Sequence, residues 1–264
     1  MSKVKSTRVS GTKEWSKHSV NCISGCAHNC RYCYARSMAH RFGRISSHNE
    51  WVNMQVRPIE VNRPRHKLDG RVMCPTTHDI TPETLAPCKV VLKKLLVAGN
   101  DVLIVSKPHL TCIEAICRAF KQYSKQILFR FTIGARNNDL LSYWEPGAPP
   151  YEERLACLRL AYEEGYATSV SCEPLLDVKD VVGLCKDLAQ YVTDSIWIGK
   201  MNKVDTRVVP NTADIQKERI KKYQTKEYVF WVYEQLKNNP LIKWKESYKE
   251  VLGIALASRS GLDL

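Results

Sequence analysis

The sequence has no second cluster of cysteines to match the dense one it carries. A closed structural zinc site usually takes four ligands, as two Cys-x2-Cys pairs or a Cys/His set. Eleven cysteines occur in 264 residues, but beyond residues 26–33 they are scattered: Cys22, Cys74, Cys88, Cys112, Cys117, Cys157, Cys172 and Cys185. Cys112, Cys117, Cys157 and Cys185 fall on apolar helix faces, where a thiol packs as a small hydrophobe. Disulfides are not expected in a reducing compartment. A long apolar run is also missing. The most apolar stretch, residues 90–98, is interrupted by Lys93 and Lys94 and is too short to span a membrane. The first residues, Met1-Ser-Lys-Val-Lys-Ser-Thr-Arg, lack the apolar core of a secretory signal. The expectation is a cytoplasmic protein with no membrane segment.

Acidic residues are scarce in the first 70 positions, where 4 Asp and Glu stand against 13 Lys and Arg. Residues 71–202 are balanced at 15 of each, and residues 203–264 carry 12 basic against 8 acidic. The net charge of +13 therefore concentrates near the N-terminal third. Clustered positive charge favours polyanions, nucleic acid first among them. Arg41, Arg44, Arg57, Arg63, Arg65 and Lys67 are the candidates to track phosphates; a solvated basic face accounts for the same count. Trp51, Trp144 and Trp197 offer stacking surfaces, or core packing.

What the sequence does have is Cys26-Ala-His-Asn-Cys30-Arg-Tyr-Cys33-Tyr34. The spacing Cys-x3-Cys-x2-Cys puts three thiols in one short loop, with Tyr32 directly before the last. Thiolates are soft ligands that suit zinc or iron–sulfur clusters. Three of them hold three corners of a [4Fe–4S] cube and leave the fourth iron open to a substrate or cofactor. A zinc knuckle that recruits His28 is the alternative.

Around this loop the chain alternates. Residues 19–23 read as a short strand and residues 34–42 as a helix stopped near Gly43, with little regular structure over 43–70. Strands follow at 71–74, 101–107, 127–134, 167–172 and 195–199. Helices lie between them, at 81–99, 110–120, 150–165 and 178–191. Repeated βα alternation predicts a parallel sheet with helices outside. Six such units make a partial (β/α)6 barrel of TIM type, an α/β fold. We divide the chain into a polar, loosely held arm (1–16), a barrel core (17–204) and a C-terminal extension (205–264), mostly helical over 213–250 with an interruption at Asn238-Asn239-Pro240 and packed on the core. Ligands in such folds gather at the carboxyl ends of the strands. The polar residues there are Thr76, Thr77, His78, Asp79, Ser106, Lys107, Thr132, Glu173, Lys200 and Asn202.

The pattern Cys-x3-Cys-x-aromatic-Cys resembles the signature of the radical S-adenosylmethionine (SAM) superfamily. Cys30-Arg-Tyr-Cys33-Tyr34-Ala35-Arg36, Ser106-Lys107, the step from Cys74 to Thr76, and Glu145-Pro-Gly-Ala-Pro-Pro150-Tyr-Glu-Glu-Arg154-Leu155 are similar to the spore photoproduct lyase-like group. The resemblance runs over residues 20–200. It implies that Cys26, Cys30 and Cys33 hold a [4Fe–4S] cluster whose free iron chelates SAM. The reduced cluster would then cleave SAM to a 5′-deoxyadenosyl radical. It implies SAM contacts from Thr76, Lys107 and Thr132; Tyr32, His78, Glu173 and Asn202 are further candidates to bind SAM. Cys74 falls where the lyase keeps a hydrogen-donating thiol; a small buried strand residue is the simpler account of it. An external donor of flavodoxin or ferredoxin type would supply the electron. No counterpart of the lyase's N-terminal extension is present, which sets damaged-thymine repair in question. The expected function is radical chemistry in nucleic-acid repair or base modification. The alternatives are a peptide or small-metabolite substrate, and a non-enzymatic zinc- or cluster-binding module for nucleic acid.

Overall fold

The computed structural model describes residues 9–262. Its centre is an all-parallel sheet of seven strands: β1 (His18–Ser19), β4 (Val72–Met73), β5 (Val102–Ser106), β6 (Ile127–Thr132), β7 (Ala167–Cys172), β8 (Ile196–Ile198) and β9 (Ile242–Trp244), in that order. The sheet is open, an α/β partial barrel. β2 (Ile23–Ser24) and β3 (Gln55–Val56) form a separate antiparallel pair. The helices are α1 (Tyr34–Arg41), α2 (Pro58–Asn62), α3 (Leu85–Val97), α4 (Leu110–Phe120), α5 (Asn138–Trp144), α6 (Tyr151–Glu163), α7 (Val181–Ala189), α8 (Val204–Arg207), α9 (Asp214–Lys222), α10 (Lys226–Leu236) and α11 (Glu246–Leu252).

β5 and β6 are apolar almost throughout because both faces are covered. One set of side chains, including Val102, Ile104, Phe129 and Phe131, packs under α3, α4 and α6 in the main core. The alternate set points inward. There, Met73, Leu103, Leu128 and Trp197 make an apolar floor, closed from the N-terminal side by Trp15. Arg130, with no exposed surface, lies over the rings of Trp15 (4.8 Å) and Trp197 (5.4 Å) and donates to Ser169 Oγ at 2.9 Å. Period-two alternation then places Val105 and Lys107, Thr132, Ser171 and Glu173 above this floor.

The structure departs from the sequence reading in four places. Residues 19–23 are not one strand: His18–Ser19 joins the sheet, and Ile23–Ser24 turns away to pair with β3. Residues 43–70 are more ordered than expected, holding a 3-10 turn at His48–Val52, β3 and α2. The arm is not loose over its described part: Val9, Glu14 and Trp15 are buried. Residues 1–8 lie outside the described residues. Finally, the C-terminal extension is not purely helical. Ile242–Trp244 enters the sheet as a seventh strand parallel to β8. Three residues after Pro240 are too few to show a strand period. No helix among the described residues is long and apolar enough to cross a membrane.

Candidate active site

A cavity of about 830 Å³ opens at the carboxyl ends of the strands. Cys26, Cys30 and Cys33 line it, as do Tyr32, Thr76, His78, Lys107, Thr132, Glu173 and Asn202. Residues spread over most of the chain thus meet in one volume, as strand-end placement demands.

The thiol loop is held from several sides. Gly25 has φ +91°, and a Cβ there would meet Trp51 O at 2.8 Å; glycine lets the Cys26 amide reach that same carbonyl at 2.8 Å. Arg36, buried on α1, donates to Asn29 Oδ1 and to Cys30 O, both at 2.6 Å. Arg31 N donates to Trp144 O at 2.8 Å and Gly147 N to His28 O at 3.0 Å, tying the loop to the segment after α5. Cys33 Sγ caps α1 by accepting from Arg36 N. Burial pushes the Cys26 thiol well above its usual range, with Asp79 adding to it, and raises Cys30 to about 12. Such thiols ionise only beside strong positive charge, which a metal supplies.

Asp79, in the loop after β4, is the hub behind these thiols. Its Oδ1 accepts from Lys107 N (2.7 Å) and Ser106 Oγ (3.1 Å). Its Oδ2 lies 2.8 Å from His28 Nδ1 and 3.6 Å from Lys107 Nζ. Burial alone would raise its pKa; the Lys107 ammonium and then His28 outweigh it and hold the carboxyl well below the usual range. On its other side the His28 ring continues the chain, with Nε2 2.9 Å from His109 Nε2. The sequence places Asp79 among the strand-end polar residues but not as a hub. What revealed its role is the long-range convergence of Ser106, Lys107 and His28.

His78 lines the cavity, yet both ring nitrogens are engaged. Nε2 accepts from Ile23 N at 3.3 Å and Nδ1 donates to Asp79 O at 3.0 Å. Its work is to clamp β2 to the loop after β4. Thr76 is fixed by Asn21, whose Oδ1 accepts from Thr76 N at 2.7 Å. Tyr32 donates to Glu145, which pairs with Arg154 at 2.6 Å with neither side chain exposed. Arg154 also donates to Thr132 O at 3.2 Å. The Glu145–Arg154 segment therefore braces both Tyr32 and the end of β6. Glu173 faces the cavity with Oε2 3.5 Å from Lys245 Nζ, and burial raises its pKa against that cation. Lys245 was not foreseen.

Cys74 does not join the lining. It sits in the main core, 2% exposed, and burial raises its pKa far above the ordinary thiol value. The basic set disperses as well. Arg57, Arg63 and Arg65 gather on Glu60, at 4.0, 2.9 and 3.2 Å. Lys67 donates to Gly99 O and lies 3.7 Å from Asp101, just before β5, so it stands at the amino ends of the strands, opposite the cavity. Arg41 and Arg44 are exposed at the end of α1. None of the six lines the cavity. Trp51, Trp144 and Trp197 are all buried.

No protein-family model matches the chain. An uncharacterized protein of Acidianus two-tailed virus is 27% identical over 197 residues, covering 67% of this chain and 65% of the viral protein. The chain thus matches slightly less than two thirds of that relative's length. An uncharacterized protein of Methanocaldococcus jannaschii is 24% identical over 184 residues, 67% of this chain and 68% of that one. Among solved structures, spore photoproduct lyase complexed with dinucleoside spore photoproduct superposes with a TM-score of 0.56 at 14% identity, covering 92% of this chain and 79% of the lyase. Streptococcus suis SuiB bound to S-adenosylmethionine gives 0.53 at 10% identity, over 93% of this chain and 54% of SuiB. The chain has the fold of these proteins, the open parallel barrel that the radical SAM resemblance implies.

Proposed function

We propose that the chain is a radical SAM enzyme acting in nucleic-acid repair or base modification. The observation that carries this is the meeting of the three loop thiols with the strand-end polar residues in one cavity of a lyase-like barrel. The donor set fits a [4Fe–4S] cluster. Three thiols face one volume, Cys26 and Cys30 buried and Cys33 half-buried, and the buried Arg36 guanidinium lies near all three to balance thiolate charge. Cys26, Cys30 and Cys33 would hold the cluster. When bound, it supplies the electron that cleaves SAM to a 5′-deoxyadenosyl radical.

The chain's own residues bind, orient and exclude water. Lys107 remains an ammonium: burial would lower its pKa, but Asp79 and Cys30 reverse this. It is a donor for a carboxylate or ribose oxygen of SAM. Thr132, Asn202 and Glu173 offer hydroxyl, amide and carboxylate partners on the facing wall. Tyr32, held by Glu145, keeps its ring near Lys107 (5.9 Å) and narrows the space beside the thiols. The apolar floor keeps water from the closed end. A flavodoxin- or ferredoxin-type donor and a cytoplasmic setting complete the proposal.

One observation favours zinc instead: ligand atoms of Cys26, His28 and Asp79 lie within 4.8 Å of one another. Against it, Asp79 is already held by Lys107 and Ser106. Anaerobic reconstitution with iron and sulfide distinguishes the two. We expect a brown protein with about four irons per chain that forms 5′-deoxyadenosine from SAM and dithionite. Cys26→Ala, Cys30→Ala and Cys33→Ala should each abolish that product. A colourless, zinc-loaded chain without 5′-deoxyadenosine overturns the proposal.

A further inference from the structure

The six basic residues singled out in the sequence leave the cavity, but three others enter it. Lys200 and Lys203, from the segment joining β8 to α8, and Arg207, the last residue of α8, line its wall. Among the described residues none of the three comes within ion-pair distance of a carboxylate. Asp205, the acid between them, is tied to Lys221 at 2.6 Å. Glu250 is the acid that bears on Lys200. Glu173, which bears on Tyr34 and faces Arg207, is already engaged by Lys245. Lys200 and Arg207 are partly buried, so their charges are incompletely hydrated and favour an anionic ligand.

An aromatic ring stands among these cations. Tyr34 lines the cavity and is 36% exposed. Its hydroxyl donates to Thr76 O at 2.6 Å, which fixes the ring, and the Arg207 guanidinium lies 6.0 Å from the ring centroid. A fixed aromatic face beside cations without a close carboxylate is the combination that binds single-stranded nucleic acid: the ring stacks a base and the cations take its phosphates. At about 830 Å³ the cavity lies toward the upper end of small-ligand pockets.

Resting on the radical SAM reading, we propose that Tyr34, Lys200, Lys203 and Arg207 form the substrate subsite, and that its ligand is a nucleotide of single-stranded nucleic acid. Tyr34 stacks the base, and the three cations hold the flanking phosphates. The residues of α2 and the segment after it play no part.

Fluorescence anisotropy of 5′-fluorescein-labelled oligothymidylate (dT8), titrated with reconstituted protein at several salt concentrations, tests this. Lys200→Gln/Lys203→Gln/Arg207→Gln should weaken binding at least tenfold and reduce the slope of log affinity against log salt by about two, as expected for losing three phosphate contacts on a single strand. Tyr34→Leu should weaken binding about tenfold with the salt slope unchanged. Lys200→Arg/Lys203→Arg/Arg207→Lys should retain binding, which separates lost charge from lost fold. Arg63→Gln/Lys67→Gln should bind as wild type. Equal affinity of the glutamine variant and wild type, or no binding by wild type at low salt, overturns the subsite. Formation of 5′-deoxyadenosine by wild type without any oligonucleotide reports on the radical SAM reading separately. Its absence sinks that reading whatever the anisotropy shows.

Discussion

Lys245 Nζ lies 2.6 Å from Glu14, 3.5 Å from Glu173 and 3.7 Å from Glu246, with none of its side chain exposed. It also sits 4.1 Å from the Trp15 ring centroid. Three carboxylates around one ammonium in dry surroundings cannot all ionise cheaply. Burial raises Glu14 from 4.5 to about 8, so it keeps its proton at neutral pH. A folded-state pKa above the unfolded one means the native chain holds a proton that the unfolded chain releases. The associated stability is fully present below about pH 4.5 and declines as pH rises toward about 8. Glu14→Gln should flatten that decline, read as the urea midpoint of the metal-free chain between pH 5 and 8. A slope matching wild type would refute the assignment. Glu173 was legible in the sequence because a strand-end acid is a recognisable signal. Lys245 was not, because its partners come from distant parts of the chain and no local spacing announces it. Asp79 was legible as a strand-end acid, but its partners His28, Ser106 and Lys107 were not, for the same reason.

At the scale of elements, the segment between α5 and α6 clamps the thiol loop. Gly147 is its point of closest approach: a Cβ there would meet Ala27 O at 2.3 Å and His28 Cα at 3.0 Å. Both are backbone atoms and cannot swing aside. Gly147→Ala should push the loop and clamp apart, destabilising the protein by about 1–3 kcal/mol. Iron per chain after reconstitution should fall by more than half, measured by colorimetric iron assay beside thermal unfolding. Full iron loading with an unchanged midpoint would contradict the clamp. The resemblance had marked this segment without a role; the role needs the fold, since Glu145 and Gly147 act on residues more than a hundred positions earlier. Strands β4 to β8 were legible from apolar runs ending in polar residues, and α3, α4, α6 and α7 from helical spacing. β2 and β3 were not, because two-residue strands carry no period.

For the whole molecule, charge count and charge placement proved different quantities. The basic excess over residues 1–70 was visible in the composition. Its division between the two ends of the barrel was not, because a chain that crosses from the thiol loop to the start of β4 passes from one end to the other. β9 is the complementary case. It covers the edge of β8, with Ile196 N donating to Leu241 O at 2.7 Å and Lys245 N to Ile198 O at 2.9 Å. A chain ended after Asn238 would lose this cover and leave Glu14 and Glu173 without their cation. Exposed strand edges pair between molecules, and uncompensated buried charge is costly. The truncated protein should be recovered mainly as aggregate by gel filtration. A monomer that still takes up iron would show that β9 is dispensable.

The way the thiol loop is held also carries an implication about order in time. The ribosome releases the loop well before the segment at Trp144 and Gly147 that clamps it. Until then Cys26, Cys30 and Cys33 are ordinary solvent-accessible thiols of a nascent chain, with the reactivity of a free cysteine. The burial that raises the Cys26 and Cys30 thiols arrives only when the segments around Trp51, Asp79 and Gly147 close on the loop. Before that closure these two thiols are open to oxidation, and the finished fold is what shields them.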